Sequence, residues 1–259
     1  MSILGRIIYS SLSTKEQIEK YQQLIRDEEW KWLKQEIPEN SKFLDVGCGS
    51  GYTMQMASED LNCECTGVDP EPGAHGVGRF LKSIIKDEII LKGFAENLPL
   101  ENNSFDVVFS SHVLEHVNDE QQSLKEMKRV LKDGGLLIIG MPTAKMAFIN
   151  FFSSIVFTTH IKMYEFFRFL LTKNILKNFI KIFRVKSHSY PRANSIYYDI
   201  FHYRVLNWKN IISKEFKIIK VIEPFLYPYP DYPQWFKSKH SKNGASSVFF
   251  ICIKKNEDE

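Results

Sequence analysis

The 259-residue chain has little cysteine, no repeat and no long apolar run, and each shortage closes off a class of protein. Its four cysteines, Cys48, Cys63, Cys65 and Cys252, lie in or beside apolar stretches without paired C-x-x-C spacing, which argues against a disulfide framework and against structural zinc. Reduced thiols predict a cytoplasmic chain. Residues 1 to 12 hold only broken apolar pairs, Ile3-Leu4 and Ile7-Ile8, with no small-residue cleavage site, so no secretory signal is expected. The uncharged stretch Met146–Ile161 is sixteen residues long and carries Asn150, Ser153, Ser154, Thr158, Thr159 and His160, too short and too polar to span a bilayer.

What is present suffices for a sizeable core: 44% of residues are hydrophobic and 25% charged, as in an ordinary globular chain. The net charge of +3 is uneven. From Ala144 to Tyr190 there are eight Lys or Arg against one acid, Glu165, a net of +7, which leaves the rest of the chain at −4. A mildly acidic body with a basic, aromatic-rich segment suits an anionic surface or an acidic partner. Nucleic acid is disfavoured, because the positive charges are interleaved with large apolar residues and no RNA-binding pattern accompanies them.

Ser13-Thr14-Lys15-Glu16 has the capping-box pattern, and Ile18, Tyr21, Leu24, Ile25, Trp32 and Leu33 recur at helical spacing, so an N-terminal helix is expected to about Glu36. From Lys42 short apolar runs alternate with helical stretches, the pattern of βαβ units. Strands are expected at 42–46, 64–69, 89–93, 105–110 and 136–141, with helices near 51–60, 76–86 and 120–132. After Pro142 the rhythm breaks for some fifty residues; it resumes with a helix near 205–214 and strands near 216–223 and 247–254. The expected fold is α/β: a doubly wound, mostly parallel seven-stranded sheet with helices on both faces and a helical insertion after strand five. Residues 1–259 then form one domain, with an N-terminal helical segment at 1–40 and an insertion or lid at 144–204.

FLDVGCGSGY at 43–52 runs from an apolar strand through Asp45 into Gly47, Gly49 and Gly51 and opens a helix at once. Alternating glycines let the backbone turn sharply and approach a ligand closely. The G-x-G-x-G spacing differs from the dinucleotide G-x-G-x-x-G, since Tyr52 stands at the next position, and the GK[ST] of a phosphate loop is missing. A glycine turn alone often means only tight helix–sheet packing, and an Asp at a strand end is often a helix cap. Asp69, however, follows Gly47 by 22 residues, close to the acid spacing of a ribose-binding α/β unit.

Residues 40–142 resemble the class I, seven-stranded S-adenosylmethionine-dependent methyltransferases, particularly the type 11 branch, with four motifs in the family's order. DVGCGSG at 45–51 resembles the loop that holds the methionine portion of the cofactor, TGVDPEP at 66–72 the strand whose acid accepts from both ribose hydroxyls, GFAENLPLENNSFDVVFSSHVLEHV at 93–117 the adenine edge and methionine end, and LKEMKRVLKDGGLLIIGMP at 124–142 the helix and fifth strand. The resemblance implies S-adenosylmethionine as cofactor, held by Asp45, Gly47, Cys48, Gly49, Gly51, Asp69, Pro70, Ala95, Glu96, Ser111 and His112. One position departs: where the family usually has an acid just after strand three, this chain has Phe94 before Ala95-Glu96.

Methyl transfer from a sulfonium needs alignment more than acid chemistry, and a base only where the acceptor loses a proton. His112 and His202 are the catalytic candidates, with His116 beside them. His112, Glu115 and His116 stand at i, i+3 and i+4 and share a face if the chain there is helical; a related Glu-x-x-Glu-His set binds a divalent metal in some quinone-precursor and RNA 3′-end methyltransferases, but His112 stands where the first Glu would be, and no metal is assigned. Tyr197, Tyr198, His202, Tyr203 and Arg204 suit either a polar-aromatic acceptor site or an amphipathic helix packed on the sheet. Leu176, Phe179, Ile180 and Phe183 alternate with Lys173, Lys177 and Lys181 as an amphipathic basic helix, either a lid over the cleft or a peripheral membrane contact through 146–186 at the inner face. The expected acceptor is a small molecule or glycan, including a lipid-linked one, methylated on oxygen. A quinone or lipid methyltransferase and a non-catalytic cofactor-binding module are the alternatives.

Overall fold

A computed structural model describes residues 13–74, 90–170, 196–230 and 244–255. In chain order the described helices and strands are α1 (Lys15–Leu33), β1 (Lys42–Val46), α2 (Tyr52–Leu61), β2 (Glu64–Asp69), β3 (Ile90–Lys92), β4 (Phe105–Ser111), α3 (Glu120–Val130), β5 (Leu131–Pro142), α4 (Ala144–Leu170), α5 (Ile196–His202), α6 (Val205–Ile212), β6 (Phe216–Ile222) and β7 (Ser247–Lys254). The expected helix at 76–86 and the amphipathic basic helix across 173–183 lie outside the described residues.

The strands form one seven-stranded sheet in the order β3-β2-β1-β4-β5-β7-β6. The first five run parallel, and β7 is antiparallel to both β5 and β6. The doubly wound, mostly parallel sheet inferred from the apolar rhythm is thus the fold observed. After β3 the chain crosses to the far side of β1 to lay down β4, so the order reverses between β1 and β4. Such a switch point opens a crevice at the carboxyl ends of the two strands, where ligands of open α/β sheets bind.

Side-chain alternation sorts the core onto two faces. Phe43, Val107, Phe109, Ile138, Phe249 and Ile251 point to one face and pack under Trp30 and Leu33 of α1 and Ala57 and Leu61 of α2. Leu44, Val108, Leu137, Ile139 and Phe250 point to the other, beneath Leu124 and Met127 of α3, Met146 of α4 and Trp208 and Ile212 of α6. The fully buried Trp208 also donates from Nε1 to the Pro142 carbonyl at 2.9 Å, fastening α6 to the end of β5.

Two boundaries differ from expectation. The capping box is built on Thr14 with Gln17, not on Ser13 with Glu16: the Thr14 hydroxyl accepts from the Gln17 amide at 3.2 Å while the Gln17 side chain accepts from the Thr14 amide at 2.8 Å. Both pairs satisfy the same sequence pattern, and the helix starts one residue later. Strand β5 begins at Leu131, five residues early, because Leu131 pairs with Phe105 before a bulge at Asp133-Gly134-Gly135 lets Leu136 resume opposite Val107.

Candidate functional site

The glycine loop sits at the carboxyl end of β1. Its first amide, Gly47 N–H, donates to the Val68 carbonyl of β2 at 2.7 Å, so the loop folds back across the neighbouring strand. Gly47 has φ 77°, and a Cβ built there would lie 2.2 Å from a Val113 methyl. Gly51, at φ 83°, is the N-cap of α2. No side chain could occupy Gly47. Gly47→Ala is expected to lower stability by about 2–4 kcal/mol, one part from the left-handed backbone and the rest from overpacking. Adding Val113→Ala should return the packing share only, as read from urea unfolding midpoints.

The Cys48 thiol packs inward: a Cβ on Gly67 would meet its Sγ at 2.6 Å. Burial pushes this thiol well above the usual range, so Cys48 offers the cleft backbone rather than chemistry. All four cysteines are free thiols.

Two carboxylates flank the loop. Asp45 is 3% exposed, and burial pushes its carboxyl up to about 7; the Arg26 charge opposes that rise and the Asp69 charge adds to it. Asp69, 6% exposed at the end of β2, accepts from the Gly49 amide through Oδ2 at 2.8 Å and from the Glu71 amide through Oδ1 at 2.8 Å. A carboxylate has about four acceptor sites, so each oxygen keeps a lone pair for a further donor. Pro70 beyond it is exposed.

After β3, the Gly93 amide returns to the Asp69 carbonyl at 3.1 Å, which brings Phe94-Ala95-Glu96 beside Asp69. Phe94 leaves 62% of its surface open, whereas Ala95 is buried in the core. Glu96 Oε1 accepts from the Asn118 amide at 2.9 Å, tying this turn to the approach to α3.

At the end of β4, His112 adopts φ 57°, a left-handed backbone uncommon outside glycine and asparagine. Strain of this kind persists where surroundings over-determine it, and here they do. The His112 amide donates to the Gly140 carbonyl at 2.9 Å, Nε2 lies 2.9 Å from Ser247 Oγ, and Nδ1 lies 3.3 Å from Glu115 Oε1. His116 Nε2 stands 3.9 Å from the same, fully buried Glu115. The two histidines thus meet at Glu115, but on a turn: no helix covers 112–117, so the helical face that the i, i+3, i+4 spacing would give is not what brings them together.

Four further polar residues converge here without having been singled out from the sequence. Tyr227 Oη donates to Glu29 Oε1 at 3.0 Å and lies 2.7 Å from Ser247 Oγ, which completes a line from Glu29 to His112. Arg26 Nη1 donates to Glu29 Oε2 at 2.7 Å and to Ser111 Oγ at 2.9 Å. The signal for Glu29 was a charge at i+4 from Ile25 and i−4 from Leu33, on the buried stripe of α1. Tyr52 Oη also donates to Asp27 Oδ1 at 2.6 Å, anchoring α1 against the first residue of α2.

His202 belongs to a separate cluster. Its Nε2 lies 3.2 Å from Glu120 Oε1, its ring stacks on Tyr198 with centroids 4.7 Å apart, and Trp208 meets it edge-on at 5.0 Å. Tyr203 is fully buried against Trp208 and forms core rather than a pocket wall, while Arg204 lies over Phe201.

Comparison with known proteins matches a methyltransferase-domain family to residues 44–139, the span from β1 to β5. A sterol 4-C-methyltransferase of Caenorhabditis elegans is 33% identical over 109 residues, 41% of this chain and 32% of that protein. A demethylmenaquinone methyltransferase of Staphylococcus epidermidis is 36% identical over 104 residues, 39% of this chain and 43% of that protein. A tRNA U34 carboxymethyltransferase of Nautilia profundicola is 36% identical over 128 residues, 46% of this chain and 43% of that protein. The matches span less than half the length of each of these relatives. Their names point to three unlike acceptors. Among solved structures, an S-adenosylmethionine-dependent methyltransferase of Thermotoga maritima superposes with TM-score 0.52 at 20% identity, covering 93% of this chain and all of that one. A chain of a Haloferax volcanii complex between a methyltransferase and its Trm112 activator superposes with TM-score 0.56 at 14% identity, covering 95% of this chain and 99% of that one. At these identities the likeness concerns the fold. Motifs and sheet order agree on the coarser statement: residues 44–139 match a type 11 methyltransferase domain, on a seven-stranded sheet of the class I methyltransferase fold.

Proposed function

We propose that this chain transfers a methyl group from S-adenosylmethionine to the oxygen of a small-molecule or glycan-like acceptor, including one carried on a lipid. The observation that carries the reading is a glycine loop with no room for a side chain, set between two buried carboxylates at the ends of adjacent strands. These residues fit the cofactor. Gly47, Cys48, Gly49 and Gly51 offer main chain to its methionine portion, Asp69 has lone pairs for two ribose hydroxyls, and Asp45 offers a negative charge to its ammonium. Pro70, Phe94, Ala95 and Glu96 border the adenine end, and Ser111 and His112 the methionine end. When bound, the cofactor supplies an electrophilic methyl on a sulfonium centre.

The protein's own part is alignment and proton handling. His112, oriented by Ser247 and Glu115, is the residue to receive the proton that an acceptor hydroxyl releases. His202 is the second candidate, and an unchanged turnover in His202→Ala would remove it.

A quinone or lipid acceptor is favoured by one observation. Phe148, Phe152 and Val156, on one face of α4, are 54%, 46% and 64% exposed, and Phe201 of α5 is 58% exposed. Among the described residues no helix is long and apolar enough to cross a membrane, so membrane contact by these residues would be peripheral. Sedimentation with anionic liposomes tests this, and its absence at low salt would favour the lid.

The deciding experiment follows labelled methyl from the cofactor into glycan, lipid, small-molecule and RNA fractions. Label in the first three supports the reading; label in RNA alone contradicts it. Cofactor binding without any labelled product would make the chain a non-catalytic module.

A further inference from the structure

Glu29, Tyr227, Ser247 and His112 stand in one line, and the direction of the protons along it follows from which groups can donate. Glu29 is ion-paired through Oε2 with Arg26 at 2.7 Å, so it can only accept. Tyr227 Oη, 3.0 Å from Glu29 Oε1, gives its single proton there. Burial first and the Glu29 charge second push this phenol well above its usual range, which keeps the proton on it. Ser247 Oγ lies 2.7 Å from Tyr227 Oη and 2.9 Å from His112 Nε2, with one proton of its own for the two contacts. Were that proton given to the histidine, two buried hydroxyl oxygens 2.7 Å apart would face each other with no hydrogen between them. Ser247 therefore donates to Tyr227, and Nε2–H donates to Ser247.

We propose that Glu29, Tyr227 and Ser247 are positioning residues that hold the neutral His112 ring as its Nε2–H tautomer and so make Nδ1 the nitrogen that takes the proton of the acceptor hydroxyl. The inference rests on the reading of His112 as proton acceptor given above, and adds which nitrogen acts and what selects it. In the transfer an oxygen lone pair forms the new C–O bond, the pair of the breaking S–C bond leaves with sulfur, and the hydroxyl proton moves to Nδ1, which leaves an imidazolium. Glu115 Oε1, fully buried and 3.3 Å from Nδ1, lies where that positive charge arrives. Of the four groups in the line only His112 keeps part of its side chain open, 13%, so an acceptor meets the ring and the other three act through it.

The plainer account gives His112 the Nδ1–H tautomer, donating to Glu115, and leaves Tyr227 and Ser247 as buried polar packing. Isotopically labelled histidine in the full chain separates the two, because long-range nitrogen–hydrogen correlation spectra distinguish the neutral tautomers, and the His112 signals are those lost in His112→Asn. In the pH range where the ring is neutral, wild type should give the Nε2–H pattern. Tyr227→Phe frees the Ser247 proton to turn to the ring and should shift the tautomer ratio toward Nδ1–H by roughly 10- to 100-fold, the factor for one buried polar group left unsatisfied. Ser247→Ala, in which Tyr227 keeps Glu29, is the milder change and should shift the ratio the same way, while His116 keeps its wild-type pattern in both. A wild-type ring in the Nδ1–H form, an imidazolium that persists into alkaline solution, or an Nε2–H pattern unmoved by both substitutions overturns the proposal. The reading beneath it fails separately: with the tautomer as expected, labelled-methyl transfer by His112→Asn at the wild-type rate would take the histidine out of the chemistry and overturn the assignment of Nδ1 with it.

Discussion

Asp45→Asn is expected to stabilise the ligand-free protein at pH 8 while weakening its hold on S-adenosylmethionine. Burial pushes the Asp45 carboxyl from 3.8 to about 7, with the Arg26 charge opposing the shift and the Asp69 charge adding to it. Because the folded state holds this proton more tightly than the unfolded chain does, the contribution is neutral below pH 4 and grows unfavourable as pH rises from about 4 to 7. Above pH 7 the penalty is complete, about 4 kcal/mol for a rise of about three units. Asparagine has no charge to bury, so urea unfolding should show the variant more stable by an amount of that order at pH 8, with the two curves converging near pH 4. Binding reverses the sign. An ammonium beside the carboxylate restores its ionisation, so at pH 6 binding to wild type should release about 0.9 proton, read from calorimetry in buffers of unlike ionisation enthalpy. The variant should release none from this position.

The second large effect belongs to Asp69. Each ribose hydroxyl donated to this carboxylate is a hydrogen bond to a charged group, worth about 1.5–3 kcal/mol, so Asp69→Ala should weaken S-adenosylmethionine by at least about a hundredfold. The substitution also releases the Gly49 and Glu71 amides, which loosens the glycine loop and adds to the loss. A variant with an unchanged unfolding midpoint and unchanged cofactor affinity would remove Asp69 from the site.

These two acids were legible in the sequence because each lies in a local pattern, an apolar strand followed at once by glycines or a turn. The strands themselves were legible for the same reason: β1, β2 and β7 fall where the apolar runs place them, since buried strands cannot hide their composition. Boundaries set by competing local options were less so. Ser13 and Thr14 are both capping residues with Glu or Gln three positions on, and only helix geometry chooses Thr14. The register of β5 likewise depends on a bulge whose glycines read equally well as a helix stop.

The line Glu29–Tyr227–Ser247–His112 had no such signal. Its members are up to 198 residues apart and meet because β7 inserts between β5 and β6, bringing Ser247 to the end of the sheet where α1 and the turn after β4 already stand. Side-chain partners of that kind follow from topology, and topology follows from the whole pattern rather than from any window of it. The buried charge of Glu29 on an apolar helix face was the one trace of it in the sequence. His202 illustrates the converse, a residue with suitable chemistry whose ring is occupied by Tyr198, Trp208 and Glu120.

The central claim is that S-adenosylmethionine binds at the switch point between β1 and β4. Amide hydrogen exchange, measured with and without saturating cofactor, tests it most directly. Protection should concentrate in 45–52, 67–73, 93–97 and 111–116, the loops that follow β1, β2, β3 and β4. Protection confined to other segments, such as the β6 edge, or none at all in these four, would contradict the account.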